Sequence, residues 1–182
     1  MSTNANKIDP IDGDLVTLRF PVLEDATEFI ESVLTSVELH AGLVHPPADT
    51  ETFEAYVRKN HDGASACFVI VEHSSDEIAG AINMTQIYRG GFGSAYLGYY
   101  LFKGFTGRGL MESALRTLVA FALRDFGLHR LEANIQPHNS SSKRLVRKCG
   151  FTREGFSRKY LRIGGEWRDH ERWAIIAEDL EN

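Results

Sequence analysis

The sequence predicts one mixed α/β domain of the α+β type: a central sheet of about seven strands with one parallel crossover, flanked by about four helices. Three observations predict it. Three apolar, β-rich runs follow one another between residues 65 and 102 with only short turns between them, the pattern of an antiparallel meander. A long stretch with helical spacing then leads to another strand-like run, which is how parallel neighbours are joined. Two final strand-like runs meet at Gly164-Gly165, as a hairpin does. At 182 residues, 43% of them hydrophobic and 25% charged, the chain suits one ordinary core.

Each element has a local reason. Residues 1–12 are polar and read as a loose N-terminal tail, which leaves residues 13–182 as a single domain. Residues 15–20, "LVTLRF", read as a strand. Residues 23–34 read as a helix, with acids in the first turn and Ala26, Phe29, Ile30 and Val33 on one face. Two prolines mark "AGLVHPPAD" as a loop, and Asp49 or Thr50 then caps a helix over about 51–59. The meander strands are "SACFVIVE", "EIAGAINMTQIY" and "SAYLGYYLF", joined by "HSSD" and by the glycine-rich "RGGFG". In the long helix, about 107–126, Met111, Leu115, Leu118, Val119, Ala122 and Phe126 share a face, and Gly127 ends it. In residues 129–135, Leu131, Ala133 and Ile135 point one way, and Arg130, Glu132 and Asn134 the other. "PHNSSSKRLVRKCG" opens with capping residues and becomes a short helix that stops at Gly150.

Several classes are disfavoured by composition. No apolar run approaches the roughly 18–20 residues a spanning helix needs, and the polar N-terminus has no signal-peptide core. A cytoplasmic protein without a membrane partner is expected. Cys67 and Cys149 lie far apart and form no CxxC or Cys/His cluster, so reduced core thiols and no metal are expected. A net charge of −5 argues against a dedicated nucleic-acid binder, but the charge is uneven. Residues 1–60 hold four Lys/Arg and eleven Asp/Glu, whereas residues 143–172 hold ten Lys/Arg and four Asp/Glu. An acidic front suits an amine or basic peptide, and a basic back suits phosphates or an acidic partner. Two solvated faces would look the same.

The stretch "LFKGFTGRGLM" places Gly104, Gly107 and Gly109 where a strand hands over to a helix. Glycine lets backbone approach a ligand closely, and a helix start supplies free N–H groups and a positive dipole end. Together they can hold a phosphate on the amides of Thr106, Gly107, Arg108, Gly109 and Leu110. Glycines that merely turn the chain would give the same spacing. The order is neither GxxxxGK[ST] nor an early GxGxxG, so P-loop and dinucleotide-fold readings are excluded. At the next helix start, Asn139 and Ser142 form an NxxS pair, either an ordinary cap or a polar wall facing the same ligand.

With these residues in view the chain resembles the GCN5-related N-acetyltransferase (GNAT) superfamily. That family's R/Q-x-x-G-x-G/A turn holds the pyrophosphate of acetyl-CoA, and residues 104–109, "GFTGRG", occupy its slot. Gly104 replaces the Arg or Gln, so backbone amides and Lys103 or Arg108 are left to hold phosphate. Residues 77–174 carry further motifs, "YLGY", "GLM", "PHN" and "WRDH", similar to the RimJ/RimL branch. The resemblance implies a GNAT fold, acetyl-CoA as cosubstrate, no metal, and direct acetyl transfer to the N-terminal alanine amine of a ribosomal protein (S5-like). It also implies cofactor contacts from Leu101, Phe102, Lys103, Thr106, Gly107, Arg108, Gly109, Leu110, Met111, Asn134, Asn139 and Ser142.

For chemistry, Ser142 is expected near the sulfur, and the oxyanion donor near Tyr100 or Leu101. Relatives of this branch are proposed to use a glutamate base where this chain has Leu161, so that base is not carried over. Glu132 is the candidate, unless a salt bridge to Arg130 holds it. Asp169 and His170 are adjacent on a strand and point to opposite faces, so Asp169 is expected to be structural. His138 is read as a loop residue, and His40 and His45 as weak acceptor contacts. Tyr88, Arg89, Phe92, Tyr96 and Trp167 border the acceptor side or belong to the core. A small-molecule amine acceptor and a non-catalytic acyl-CoA-binding module are the alternatives. Contact with the ribosome through the basic C-terminal region, and a monomer or homodimer, complete the expected partners.

Overall fold

The structure is a computed structural model that describes residues 8–180. Its centre is an eight-stranded sheet in the order β1-β2-β3-β4-β5-β6-β8-β7. The strands are β1 (Ile11–Asp12), β2 (Val16–Arg19), β3 (Ala66–Glu72), β4 (Ile78–Tyr88), β5 (Ser94–Leu101), β6 (Arg130–Ile135), β7 (Thr152–Ile163) and β8 (Glu166–Ile176). Only β5 and β6 are parallel; every other pair is antiparallel. The helices are α1 (Ala26–Thr35), α2 (Val37–His40), α3 (Thr50–Arg58), α4 (Leu110–Ala120) and α5 (Ser140–Lys148).

The expected seven strands become eight because β1 falls inside the region read as tail. Gly13 donates to the Val16 carbonyl at 2.8 Å and turns Ile11–Asp12 back onto β2, where Ile8 and Ile11 pack on the core. Apolar side chains hold those residues, although the stretch is polar on average. The rest of the expected tail, residues 1–7, lies outside the described residues. The fifth helix is the short α2, in residues 35–40, between the expected helix and the expected loop, where the sequence assigns no element. The long helix starts at Leu110, not near 107, because Gly107 and Gly109 sit at φ +75° and +78°, outside the helical region. A π turn over Phe121–Asp125 carries the helix on from Ala120.

The sheet is covered on both faces. Leu115, Leu118, Leu131 and Phe68 belong to the core beneath α4 and α5; Phe29, Phe53, Val69 and Phe102 belong to the second, beneath α1 and α3. β3 feeds both cores in alternation and is buried throughout. Cys67 and Cys149 are buried free thiols, as expected, and burial pushes both up to about 11.

One feature of the sheet positions the site. The parallel ladder runs from Ser94↔Arg130 to Leu97↔Ala133 and stops there. β5 continues to Leu101 and β6 to Ile135, so the two strands part in the middle of the sheet.

Candidate active site

The parted strands open a cleft of about 750 Å³ that runs between the starts of α4 and α5 and on to α2 and the β7–β8 hairpin. Backbone phase decides what the β5 side offers. Phe102 donates to the Ala79 carbonyl at 2.8 Å, and hydrogen-bonded pairs in an antiparallel ladder recur every second residue. The N–H and C=O groups of Tyr100 therefore pair with Ala81 on β4. Those of Tyr99 and Leu101 face the gap.

The sequence pointed to Tyr100 or Leu101 for an amide aimed at the gap. The register leaves Leu101. The Tyr100 side chain packs at the second core, and its hydroxyl is buried without a partner among the described residues. Burial raises its pKa. The Leu101 carbonyl is taken by His40 Nε2 at 2.9 Å. His40 thus props the strand end, and its Nε2 is not free for an acceptor contact.

At the start of α4, Gly104, Gly107 and Gly109 all have positive φ. Gly109 is the N-cap and no side chain caps the helix. Ser113 donates to the Gly109 carbonyl at 3.0 Å; the amides of Leu110, Met111 and Glu112 precede it and have no acceptor within the helix. A Cβ built on Gly107 meets nothing within 4 Å. Thr106, Gly107, Gly109, Leu110 and Met111 line the cleft, so the turn has the shape and donor set of an anion cradle.

Three expected contacts are placed elsewhere. The Phe102 side chain is buried in the second core. Lys103 donates its amide to Ser36 Oγ at 2.8 Å, and its side chain is exposed. The Arg108 guanidinium pairs with the buried carboxylate of Glu72 and lies 5.7 Å from the Phe105 ring. A buried acid holds a nearby cation, so the Arg108 side chain is committed in part to Glu72 and does not line the cleft.

At the start of α5, Asn139 Oδ1 accepts from the Ser142 amide at 3.1 Å, which is the cap the sequence allowed. Ser142 Oγ sits 2.6 Å from the Tyr99 hydroxyl. Burial pushes that phenol up to about 12, only partly offset by the Ser142 bond, so it stays protonated at neutral pH. Both side chains line the cleft on the α4–α5 face.

Asn134 lines the cleft with its Oδ1 buried and without a partner among the described residues. Glu132 lies outside it, held by Arg130 Nε at 2.9 Å. The salt-bridge alternative is the one present, and the expected base is absent from the cleft. Gln136 reaches across to the Gly42 carbonyl at 2.8 Å, and Gly164 donates to His45 Nε2 at 3.1 Å. These two bonds tie the loop after α2 to β6 and the β7–β8 hairpin at the far end of the cleft from α4. Asp169 accepts from the Lys159 amide at 2.7 Å, a structural bond as anticipated. His170 lines the cleft. His138, Tyr88, Phe92 and Trp167 are exposed and do not.

The profile of the acetyltransferase (GNAT) domain matches residues 16–152. The chain belongs to the GNAT family. It is 40% identical over 114 residues to the probable N-acetyltransferase YjcK of Bacillus subtilis, across 63% of each chain. It is 37% identical over 117 residues to the [ribosomal protein uS5]-alanine N-acetyltransferase of Escherichia coli, across 64% of this chain and 60% of that one. These matches span less than two thirds of either relative. Among solved structures, Mycobacterium smegmatis RimJ in complex with CoA-disulfide superposes with a TM-score of 0.85 at 26% identity, over 96% of this chain and 88% of that one. RimL in complex with coenzyme A gives 0.82 at 22% identity, over 92% and 98%, a likeness of fold.

Within this GNAT frame the sequence reading missed Tyr99, Gln136 and His170. Tyr99 was hidden among the four tyrosines of "YLGYY" and its surroundings. Gln136 sits one residue before the noticed "PHN". His170 was set aside with its neighbour Asp169, although alternation separates the two.

Proposed function

We propose that the chain is an acetyl-CoA-dependent N-acetyltransferase, located in the cytoplasm, that transfers acetyl to the N-terminal alanine amine of a ribosomal protein such as uS5. The observation that carries this reading is the open β5–β6 gap with an anion cradle at one end and a side without carboxylates at the other. Glu112 is the one acid on the cleft wall among the described residues, and it sits at the α4 end, bound to Arg116 and Lys148. A polyamine needs acids around its second charge. An N-terminal α-amine ordinarily titrates at about 7.7–8.0 and is already partly neutral near pH 7. The Escherichia coli relative named for ribosomal protein uS5 supports the acceptor.

When bound, acetyl-CoA supplies an acyl group already activated as a thioester. The α4 amides and the glycine turn hold its pyrophosphate. The free groups of Tyr99 and the Leu101 N–H pair with the extended arm as an added strand would. The Leu101 N–H also faces the carbonyl oxygen where charge develops. Ser142, backed by Tyr99, returns a proton to sulfur. Part of the basic C-terminal surface is internally paired, through Lys143 and Arg153 with Glu171 and through Arg168 with Glu166; the remainder is the surface offered to the ribosome. Among the described residues no helix is long and apolar enough to cross a membrane.

Acetyl-CoA turnover against a panel of Ala- and Ser-starting peptides, spermidine and an aminoglycoside tests the acceptor. Turnover is expected on the Ala-starting peptides; activity confined to the small amines would overturn the acceptor, and none on any amine would leave a binding module. Ser142→Ala and Tyr99→Phe are each expected to lower kcat by about ten- to a hundredfold while calorimetric affinity for coenzyme A stays within about twofold. Unchanged kcat in both would remove the pair from the proton path.

A further inference from the structure

Two histidines line the acceptor side of the cleft, and each has one ring nitrogen fixed by a backbone carbonyl. His40 Nε2 meets the Leu101 carbonyl at 2.9 Å, and His170 Nδ1 meets the Arg168 carbonyl at 3.0 Å. A carbonyl only accepts, so each of these nitrogens carries the proton. The second ring nitrogens are His40 Nδ1 and His170 Nε2.

Their surroundings differ. His40 Nδ1 is sealed in, buried without a partner among the described residues, and its ring stands edge-on to Tyr100 at 5.2 Å. His170 Nε2 has no hydrogen-bond partner among the described residues and is not one of the sealed atoms. The His170 ring is 1% exposed overall, yet it lines the cleft.

The register fixes which face His170 serves. Arg172 pairs with Asn134 across β6 and β8, and His170, two residues along, shares that face with Asn134 and Gln136. Tyr99 and Ser142 stand on the opposite face, with α4 and α5. The gap between β5 and β6 is thus flanked by one proton-handling group on each side of the sheet.

We propose that His170 Nε2 is the proton acceptor for the incoming amine, a catalytic residue of the acetyl transfer described above. The assignment rests on that reading. The amine lone pair forms the N–C bond to the acetyl carbon, and the C–S bond breaks with its electron pair on sulfur. The nitrogen's proton passes to His170 Nε2 and from there to solvent. Sulfur takes its proton from the Ser142–Tyr99 pair, which solvent refills.

Burial holds the His170 imidazole below its usual value, with the Arg168 carbonyl and Asp169 opposing, so it is neutral at pH 7. The groups around it leave it so: Arg172 and Arg168 two residues away on its own strand, cations that disfavour a second positive charge, Tyr160 on β7 at 6.1 Å between rings, His40 on α2, Tyr100 on β5, and Asn134 and Gln136 on β6, with Glu132 held by Arg130. A weak base suffices, because the amine nitrogen loses basicity as the N–C bond forms.

The test is the pH dependence of kcat from pH 5 to 9 for wild type, His170→Gln and His170→Ala, using the amine that the panel shows to be turned over. In wild type, log kcat is expected to fall below the pKa of the bound amine and to break to a steeper fall below pH 6.5. In His170→Gln the second break is lost and kcat at pH 7 drops at least thirtyfold, while coenzyme A affinity and melting temperature stay near wild type. Added imidazole restores part of the rate to His170→Ala. A kcat within threefold of wild type, an unchanged second break, or a rate loss matched by lost coenzyme A affinity would each overturn the assignment. A wild-type chain that binds coenzyme A but acetylates no amine overturns the acetyl-transfer reading itself, and the base with it.

Discussion

Gly107→Val is expected to reduce coenzyme A affinity at least a hundredfold and to take acetyl-transfer activity with it. Gly107 lines the cleft at the cradle, and the space where its Cβ would stand is empty to 4 Å. An isopropyl group there fills the volume in which a phosphate would meet the α4 amides, and the lost contacts are charge-assisted hydrogen bonds, the stronger kind. The residue also sits at φ +75°, where a side chain costs about 1–2 kcal/mol. Calorimetry with coenzyme A, paired with a thermal melt of the unliganded protein, separates the two effects. A small loss of stability with a large loss of affinity is the expected result. Affinity within tenfold of wild type would mean that the pyrophosphate is not held at this turn.

Gly80→Ala is expected to be the most damaging single methyl in the sheet. Its Cβ would come within 2.2 Å of the Tyr100 carbonyl oxygen and 2.8 Å of Leu101 Cα, and both are backbone atoms that cannot rotate away. The closeness has a cause in the register. β4 pairs with β3 at Gly80↔Ile70 and next at Ile78↔Val71, so Ala79 is an extra residue, and such a bulge sharpens the local twist. The methyl must push β5 outward just where Tyr99 and Leu101 present their free groups to the gap. Overpacking of this kind costs about 3 kcal/mol, or a melting temperature lower by roughly 6–12 °C for a chain of this size. Activity should fall further than stability alone explains. An unchanged melting temperature and kcat would show that the sheet yields at no cost and that the tight approach has no role in shaping the gap.

The parts of the site legible in the sequence are those built from neighbours in the chain. The glycine turn could be read because positive φ is a property of single residues. The cap at Asn139 could be read because its acceptor and donor lie three residues apart. The parting of β5 and β6 could not: it depends on how two strands joined by a whole helix twist against their other partners. The placement of Arg108 has the same origin. Arg108 was assigned to phosphate because it stands in the turn, but Glu72 lies 36 residues away in sequence and beside it in space. Glu132 is different: Arg130 stands two residues away on the same strand face, and the salt bridge between them is the alternative that the sequence already offers.

By itself the sequence determined the mixed sheet with its crossover, the two helix starts that meet at one crevice, and the family those motifs resemble. Each follows from periodicity, backbone preference and short-range spacing. Only the tertiary structure decided that Leu101 and not Tyr100 offers its amide to the gap, that Tyr99 backs Ser142, and that His170 is the histidine whose free nitrogen belongs to the cleft. Those outcomes depend on ladder register and on which carbonyl each imidazole meets. Both are set by pairings between distant strands, which no local property of the chain encodes.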